Sequence, residues 1–212
     1  MIKNIAFDFG GVIFDLSWEG AVAAFQRIGL ADAATRLDRF HQRGVFEDLE
    51  SGRITPDAFL HELEKMCHRT LTYDEVLSAW LGYIGKPVDL QKLDYLDQLR
   101  QRGYRTFLLS NTNPFVQAWA ESSSFSAAGR PLSSYLEKCY TSFEVGIMKP
   151  DAAIFRHLLA DADIRPEETL FLDDSPANIE TARREGILTL LVEKNGDWRP
   201  QVEQLLSSEP IP

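Results

Sequence analysis

The chain has 212 residues, 44% of them hydrophobic and 25% charged, with a formal net charge of -10. This composition is that of a globular protein able to bury a real core. The acidic balance excludes a broad basic surface for nucleic acid or anionic membrane, so an anionic substrate must be met by a local positive site.

Met1-Ile2-Lys3-Asn4 leads into an apolar run without a small-residue cleavage site, which reads as no signal peptide. No apolar stretch approaches the roughly 18 to 20 residues that span a bilayer. Cys67 and Cys139 are the two cysteines, far apart and without neighbouring ligand pairs, so neither a disulfide framework nor a zinc cluster is expected. A reducing, cytoplasmic setting fits this usage.

Asn4 to Asp8 is a short apolar run ending in a carboxylate and two glycines, the pattern of a buried strand feeding a tight turn. From Ser17 to about Gly85 the pattern is helical. Ser17 caps a helix reaching Gly29, Thr55 precedes Pro56 at a first helical position, and Thr72 with Glu75 makes a capping box. Roughly four helices are predicted there. After Pro87 a helix over about Leu90 to Arg102 is closed by Gly103, and a strand follows over Thr106 to Ser110. A helix starts near Pro114, and Ser122 to Pro131 has the composition of a mobile loop. Then come a weaker strand near Cys139 to Thr141, a helix after Pro150, a strand over Leu170 to Asp173, a helix from Pro176 to Gly186, and a last strand near Leu188 to Val192.

Strands separated by helices imply right-handed crossovers and a parallel sheet. The expected fold is therefore α/β, a doubly wound parallel core over residues 1–16 and 86–212 with an all-helical cap inserted over 17–85.

Three predicted strands end in polar groups: Asp8, Ser110-Asn111 and Asp173-Asp174. In an open α/β sheet such ends share one crevice. Carboxylates gathered there repel one another unless a cation intervenes, and Mg²⁺ typically takes one or two carboxylates together with substrate phosphate oxygens. Asp8 and Asp174 are the expected ligands, with the Gly10 carbonyl available at a glycine turn and Asp173 in the outer shell. Ser110, the backbone after it at Asn111, and Lys149 would hold phosphate oxygens, offsetting the charge that opposes attack by a carboxylate. Asp8 is the expected nucleophile, since carboxylates form phosphorylated intermediates.

Ala6-Phe7-Asp8-Phe9-Gly10-Gly11-Val12-Ile13, Leu109-Ser110-Asn111-Thr112-Asn113, Lys149-Pro150 and Phe171-Leu172-Asp173-Asp174-Ser175 resemble the four motifs of the haloacid dehalogenase superfamily. The resemblance covers nearly the whole chain, because a small helical cap follows the first motif in many members. Asp-Phe-Gly-Gly-Val and Leu-Ser-Asn-Thr-Asn look most like the α-D-glucose-1-phosphate phosphatase branch. The resemblance implies a magnesium-dependent phosphatase of a small phosphorylated metabolite, with Asp8 as nucleophile, Ser110 and Lys149 holding phosphate, and Asp174 on the metal.

One departure matters. Phosphatases of this group usually carry a second Asp two residues after the nucleophile as general acid, and here that residue is Gly10. The loss favours esters whose leaving oxygen needs little protonation, such as a sugar 1-phosphate or an acyl phosphate. Asp15 is a candidate replacement, although a residue there commonly caps a helix or sits at a hinge. Trp18, Phe46 and Glu47 are candidate cap residues facing the substrate. His41, His61 and His68 match no metal spacing and read as surface or packing residues.

The same residues admit two competing readings. A catalytically weak phosphate-binding or regulatory protein would account for Gly10. A 2-haloacid dehalogenase would need no acid two positions after its Asp, but the Asp173-Asp174 pair argues for a metal it does not use. A phosphomutase is disfavoured, since it would miss the acid at every turnover.

Overall fold

The apolar run at the amino terminus forms β1 (Asn4–Phe7), buried along its length and central in a five-stranded sheet. The structure is a computed structural model that describes residues 1–37 and 42–207, so His41 lies outside the described residues. The other strands are β2 (Arg105–Ser110), β3 (Lys138–Thr141), β4 (Thr169–Asp173) and β5 (Leu188–Leu191), and the order is β3-β2-β1-β4-β5. Every neighbouring pair is parallel. The chain steps from β1 to β2 and β3 on one side, then returns to β4 on the other. That reversal at β1 opens a crevice at the carboxyl ends of β1, β2 and β4.

Between β1 and the rest of the sheet lie α1 (Trp18–Arg27), α2 (Ala33–Arg36), α3 (Val45–Glu50), α4 (Pro56–Cys67) and α5 (Tyr73–Trp80). Three of them start where side chains satisfy exposed N–H groups: Ser17 accepts from Gly20, Thr55 from Ala58, and Thr72 with Glu75 forms a complete capping box. Phe25, Phe46, Phe59 and Trp80 build the insert's own core, with neighbouring ring centroids 5.2 to 5.8 Å apart. The segments that enter and leave the insert run side by side. Leu16 bridges Ile84, the Ser17 N–H donates to the Tyr83 carbonyl at 2.7 Å, and the Gly85 N–H donates to the Asp15 carbonyl at 2.7 Å.

The sheet is flanked by α6 (Leu90–Gln101), α7 (Pro114–Ala120), α8 (Ser142–Val145), α9 (Ala152–Asp161), α10 (Pro176–Arg184) and α11 (Arg199–Ser207). Successive strand residues point to opposite faces. Ile5, Phe7, Leu108, Leu170 and Leu172 join Leu93, Leu96 and Val202 on one face, while Ala6, Phe107, Leu109 and Phe171 join Ile154, Phe155 and Ile179 on the other. Because both faces are covered at the centre of the sheet, β1 and β4 are buried along their whole length.

The loop after β1 is fastened from beneath. Lys92 Nζ and Trp198 Nε1 both donate to the Val12 carbonyl at 2.9 Å. The Asn195 N–H donates to the Gly11 carbonyl at 2.7 Å, and the Asn195 side chain exchanges two hydrogen bonds with the Leu16 main chain. The segment expected as a mobile loop carries no helix or strand over 121–131, yet Phe125 is buried in it against Phe9 and Trp119. Cys67 and Cys139 are free thiols. Among the described residues no helix is long and apolar enough to cross a membrane.

Candidate active site

Phe7 is level with Leu172 in the sheet register, so the residues just beyond them emerge together. The Asp8 N–H donates to the Leu172 carbonyl at 2.9 Å. Asp8, Asp173 and Asp174 each bring a carboxylate oxygen within 4.8 Å of the others. Lys149 stands among them with its side chain 1% exposed, its Nζ 2.8 Å from Asp8 Oδ1 and 2.7 Å from Asp173 Oδ2.

Asp173 is occupied by the protein itself. Its Oδ1 accepts from the Ser175 N–H at 2.7 Å, and its Oδ2 accepts from Lys149 Nζ and from Asn178 Nδ2 at 2.9 Å. A carboxylate held on three sides and fully buried aims Lys149. Asp8 and Asp174, by contrast, both line a cavity, together with Gly10, Ser110, Asn111 and Lys149.

Burial pushes the Asp8 carboxyl up to about 6 against the opposing pull of Lys149, with Asp173 adding to the rise. Asp174 is raised by burial and then by the charge on Asp8. For Lys149 burial acts downward, but Asp173 and Asp8 more than offset it and its ammonium is held above the usual range. Three carboxylates against the ammonium groups of Lys149 and, beside Asp174, Lys194 still leave an excess of negative charge. This oxygen donor set fits a hard divalent cation, with Asp8 and Asp174 the two carboxylates open to it. Gly11 brings the loop against this pair: its φ is +82° and a Cβ there would lie 2.7 Å from Asp174 Oδ2. A side chain at that position would crowd the carboxylate.

Ser110, at the end of β2, is 2% exposed and lines the cavity. Asn111, whose backbone is the expected phosphate-binding part, uses its side chain to brace Lys149. Its Nδ2 donates to the Lys149 carbonyl and its Oδ1 accepts from the Lys149 N–H, both at 2.8 Å. The amide thus fixes the main chain that presents the ammonium.

The candidates from the insert, and Asp15 at its entry, fall elsewhere. Phe46 is 1% exposed inside the insert's aromatic core. Glu47 faces solvent beside Arg53 at 3.0 Å, and Asp15 pairs with Lys86 at 3.1 Å. Trp18 donates its Nε1–H to the Leu37 carbonyl at 3.0 Å. None of the four lines the cavity. His61 is an exposed neighbour of Glu64, and His68 ends α4 in the left-handed conformation.

Among the described residues, those of the insert that do line the cavity are Gln42, Glu50, Trp80 and Tyr83. The sequence carries one signal for Glu50. Phe46, Leu49 and Glu50 stand at i, i+3 and i+4, so this carboxylate lies on the apolar stripe of α3, one turn beyond Phe46.

A family profile for haloacid dehalogenase-like hydrolases matches residues 2–186. D-ribitol-5-phosphate phosphatase of Bacteroides thetaiotaomicron is 48% identical over 98% of this chain and 100% of its own length. Among solved structures, a haloacid dehalogenase-like family hydrolase from Porphyromonas gingivalis superposes with a TM-score of 0.93 at 43% identity, covering 99% of this chain and 100% of that one. An enzyme of the same family from Bacteroides thetaiotaomicron, crystallised with magnesium and inorganic phosphate, superposes with a TM-score of 0.86 at 32% identity, covering 95% and 99% of the two chains.

Proposed function

The chain belongs to the haloacid dehalogenase-like hydrolases, and on that premise we propose that it is a magnesium-dependent phosphatase of a small polyol or sugar phosphate, working through a phosphorylated Asp8. The observation that carries the reading is the joint placement of Asp8, Lys149 and Asp174 on one cavity, with Asp173 buried behind them. The relative named for D-ribitol 5-phosphate supports the substrate class, and the related structure with magnesium and phosphate supports the ion.

Asp8 and Asp174 would hold the ion, joined by the Gly10 carbonyl. Bound there, it would neutralise charge between an anionic nucleophile and a phosphate dianion. Lys149 and the Ser110 hydroxyl would hold phosphoryl oxygens, Lys149 kept in place by Asp173 and by the Asn111 amide. An Asp8 oxygen would attack phosphorus as the ester bond breaks, and water would then hydrolyse the aspartyl phosphate. Two free thiols suit a reducing cytoplasm.

Taken alone, the glycine at position 10 favours a sugar 1-phosphate. The 48% identical relative acts on an ester of a primary alcohol, and the proposed substrate class is taken from that relative. Phosphate release from D-ribitol 5-phosphate should require magnesium, stop on addition of EDTA and be abolished in Asp8→Asn. Release that survives EDTA or the Asp8→Asn change would overturn the proposal. Metal-independent turnover of 2-haloacids would mark a dehalogenase instead.

A further inference from the structure

The phosphatase reading leaves one proton without a donor, and the role of any such donor rests on that reading. A primary alkoxide leaves poorly unless it is protonated as its bond to phosphorus breaks. Position 10 holds no acid, and its space is taken, since Leu16 Cδ1 lies 2.5 Å from where a Cβ would stand. Among the described residues the carboxyls lining the cavity are Asp8, Asp174 and Glu50. The first two are committed to the nucleophile and the ion.

Glu50 ends α3 and is 8% exposed. Although it belongs to the insert, the core fixes its position. Ser142 Oγ donates to the Glu50 carbonyl at 2.5 Å and accepts from the Thr112 N–H at 3.1 Å, tying the end of α3 to the loop beyond Ser110. Two residues on, Gly52 sits so tightly against the core that an added Cβ would lie 2.2 Å from the Phe143 carbonyl oxygen. Burial raises the Glu50 carboxyl to about 8, the Asn113 side chain opposing and Glu47 adding to the rise. It therefore keeps a proton at neutral pH, in the range where one group can both give and take it.

We propose that Glu50 is the general acid and base of this reaction, reaching in from the helical insert to replace the carboxylate missing at position 10. In the first half, an Asp8 oxygen bonds to phosphorus, the ester P–O bond breaks, and the Glu50 proton passes to the departing alcohol oxygen. In the second, the Glu50 carboxylate takes a proton from water as the water oxygen bonds to phosphorus and the Asp8–phosphorus bond breaks. Inorganic phosphate leaves, and both carboxyls return to their starting states. The titratable groups around Glu50 are Glu47 on α3 and, lining the shared cavity, Asp8, Lys149, Asp174, Lys194 and Tyr83.

The test compares Glu50→Gln with the unaltered enzyme on D-ribitol 5-phosphate and on a series of aryl phosphates graded in leaving-group basicity. The constant to read is kcat/KM, which reports the steps through loss of the alcohol. For the ribitol ester it should fall about 10²-fold or more, but far less for p-nitrophenyl phosphate, so that its logarithm drops more steeply with leaving-group pKa. The decline of the ribitol rate near pH 8 should vanish in Glu50→Gln, and Glu50→Asp should recover part of the neutral rate. Equal losses across all esters, or a Glu50→Gln enzyme that keeps its ribitol rate, would overturn the role. Failure of the unaltered enzyme on every ester would remove the phosphatase reading itself.

Discussion

Lys149 carries a positive charge between two carboxylates where almost no solvent reaches. Burying such a group costs several kcal/mol per ion, offset here by two short contacts, and taking away one partner leaves the others uncompensated. Lys149→Met should therefore lose about 3–5 kcal/mol in urea denaturation as well as all phosphatase activity; an unchanged midpoint would show that water already serves the carboxylates. Glu50 gives a second residue-scale expectation. Its folded pKa is raised from 4.5 to about 8 by burial, so the folded state keeps a proton that the unfolded chain releases. Its contribution to stability is fully present below about pH 4.5 and is lost as pH rises toward 8, at roughly 1.4 kcal/mol per pH unit. Glu50→Gln should flatten the pH dependence of the unfolding free energy over that window, and a variant with the same slope would place the titration elsewhere.

At the scale of elements, helices with chemically marked starts were legible in the sequence. Ser17, Thr55 and the Thr72–Glu75 box all cap helices, and Gly103 follows α6 with a φ of +91°. The short α2 and α3 escaped notice because they begin without a side-chain cap, Gly44 preceding α3. Packing against the rest of the molecule holds them, and packing is not a local property. With no marked start for α3, the sequence offered Phe46 and Glu47 as cap candidates, whereas the α3 residue that lines the cavity is Glu50. The turn after α3 offers its own check. Gly52 has a φ of +72° and no room for a Cβ, so Gly52→Ala should lower stability by at least about 1–2 kcal/mol and reduce turnover by lifting Glu50 from its seat. A Gly52→Ala enzyme with unaltered melting temperature and rate would show that the turn adapts.

For the molecule as a whole, the floor of the site could be read from chain order and its roof could not. Parallel strands put Asp8, Ser110 and Asp173-Asp174 at one edge by topology alone, and Lys149 joins them because it pairs with Asp8 and Asp173. Which insert residues reach that edge depends on contacts such as Ser142 with Glu50, 92 positions apart, which no periodicity announces. The side chain of Leu16 joins the two levels. It fills the space beside Gly10, while its main chain bridges Ile84 and is gripped by Asn195. A side chain at position 10 would need the Leu16 side chain to move aside, so a change beside the nucleophile is felt at the doorway of the insert as well.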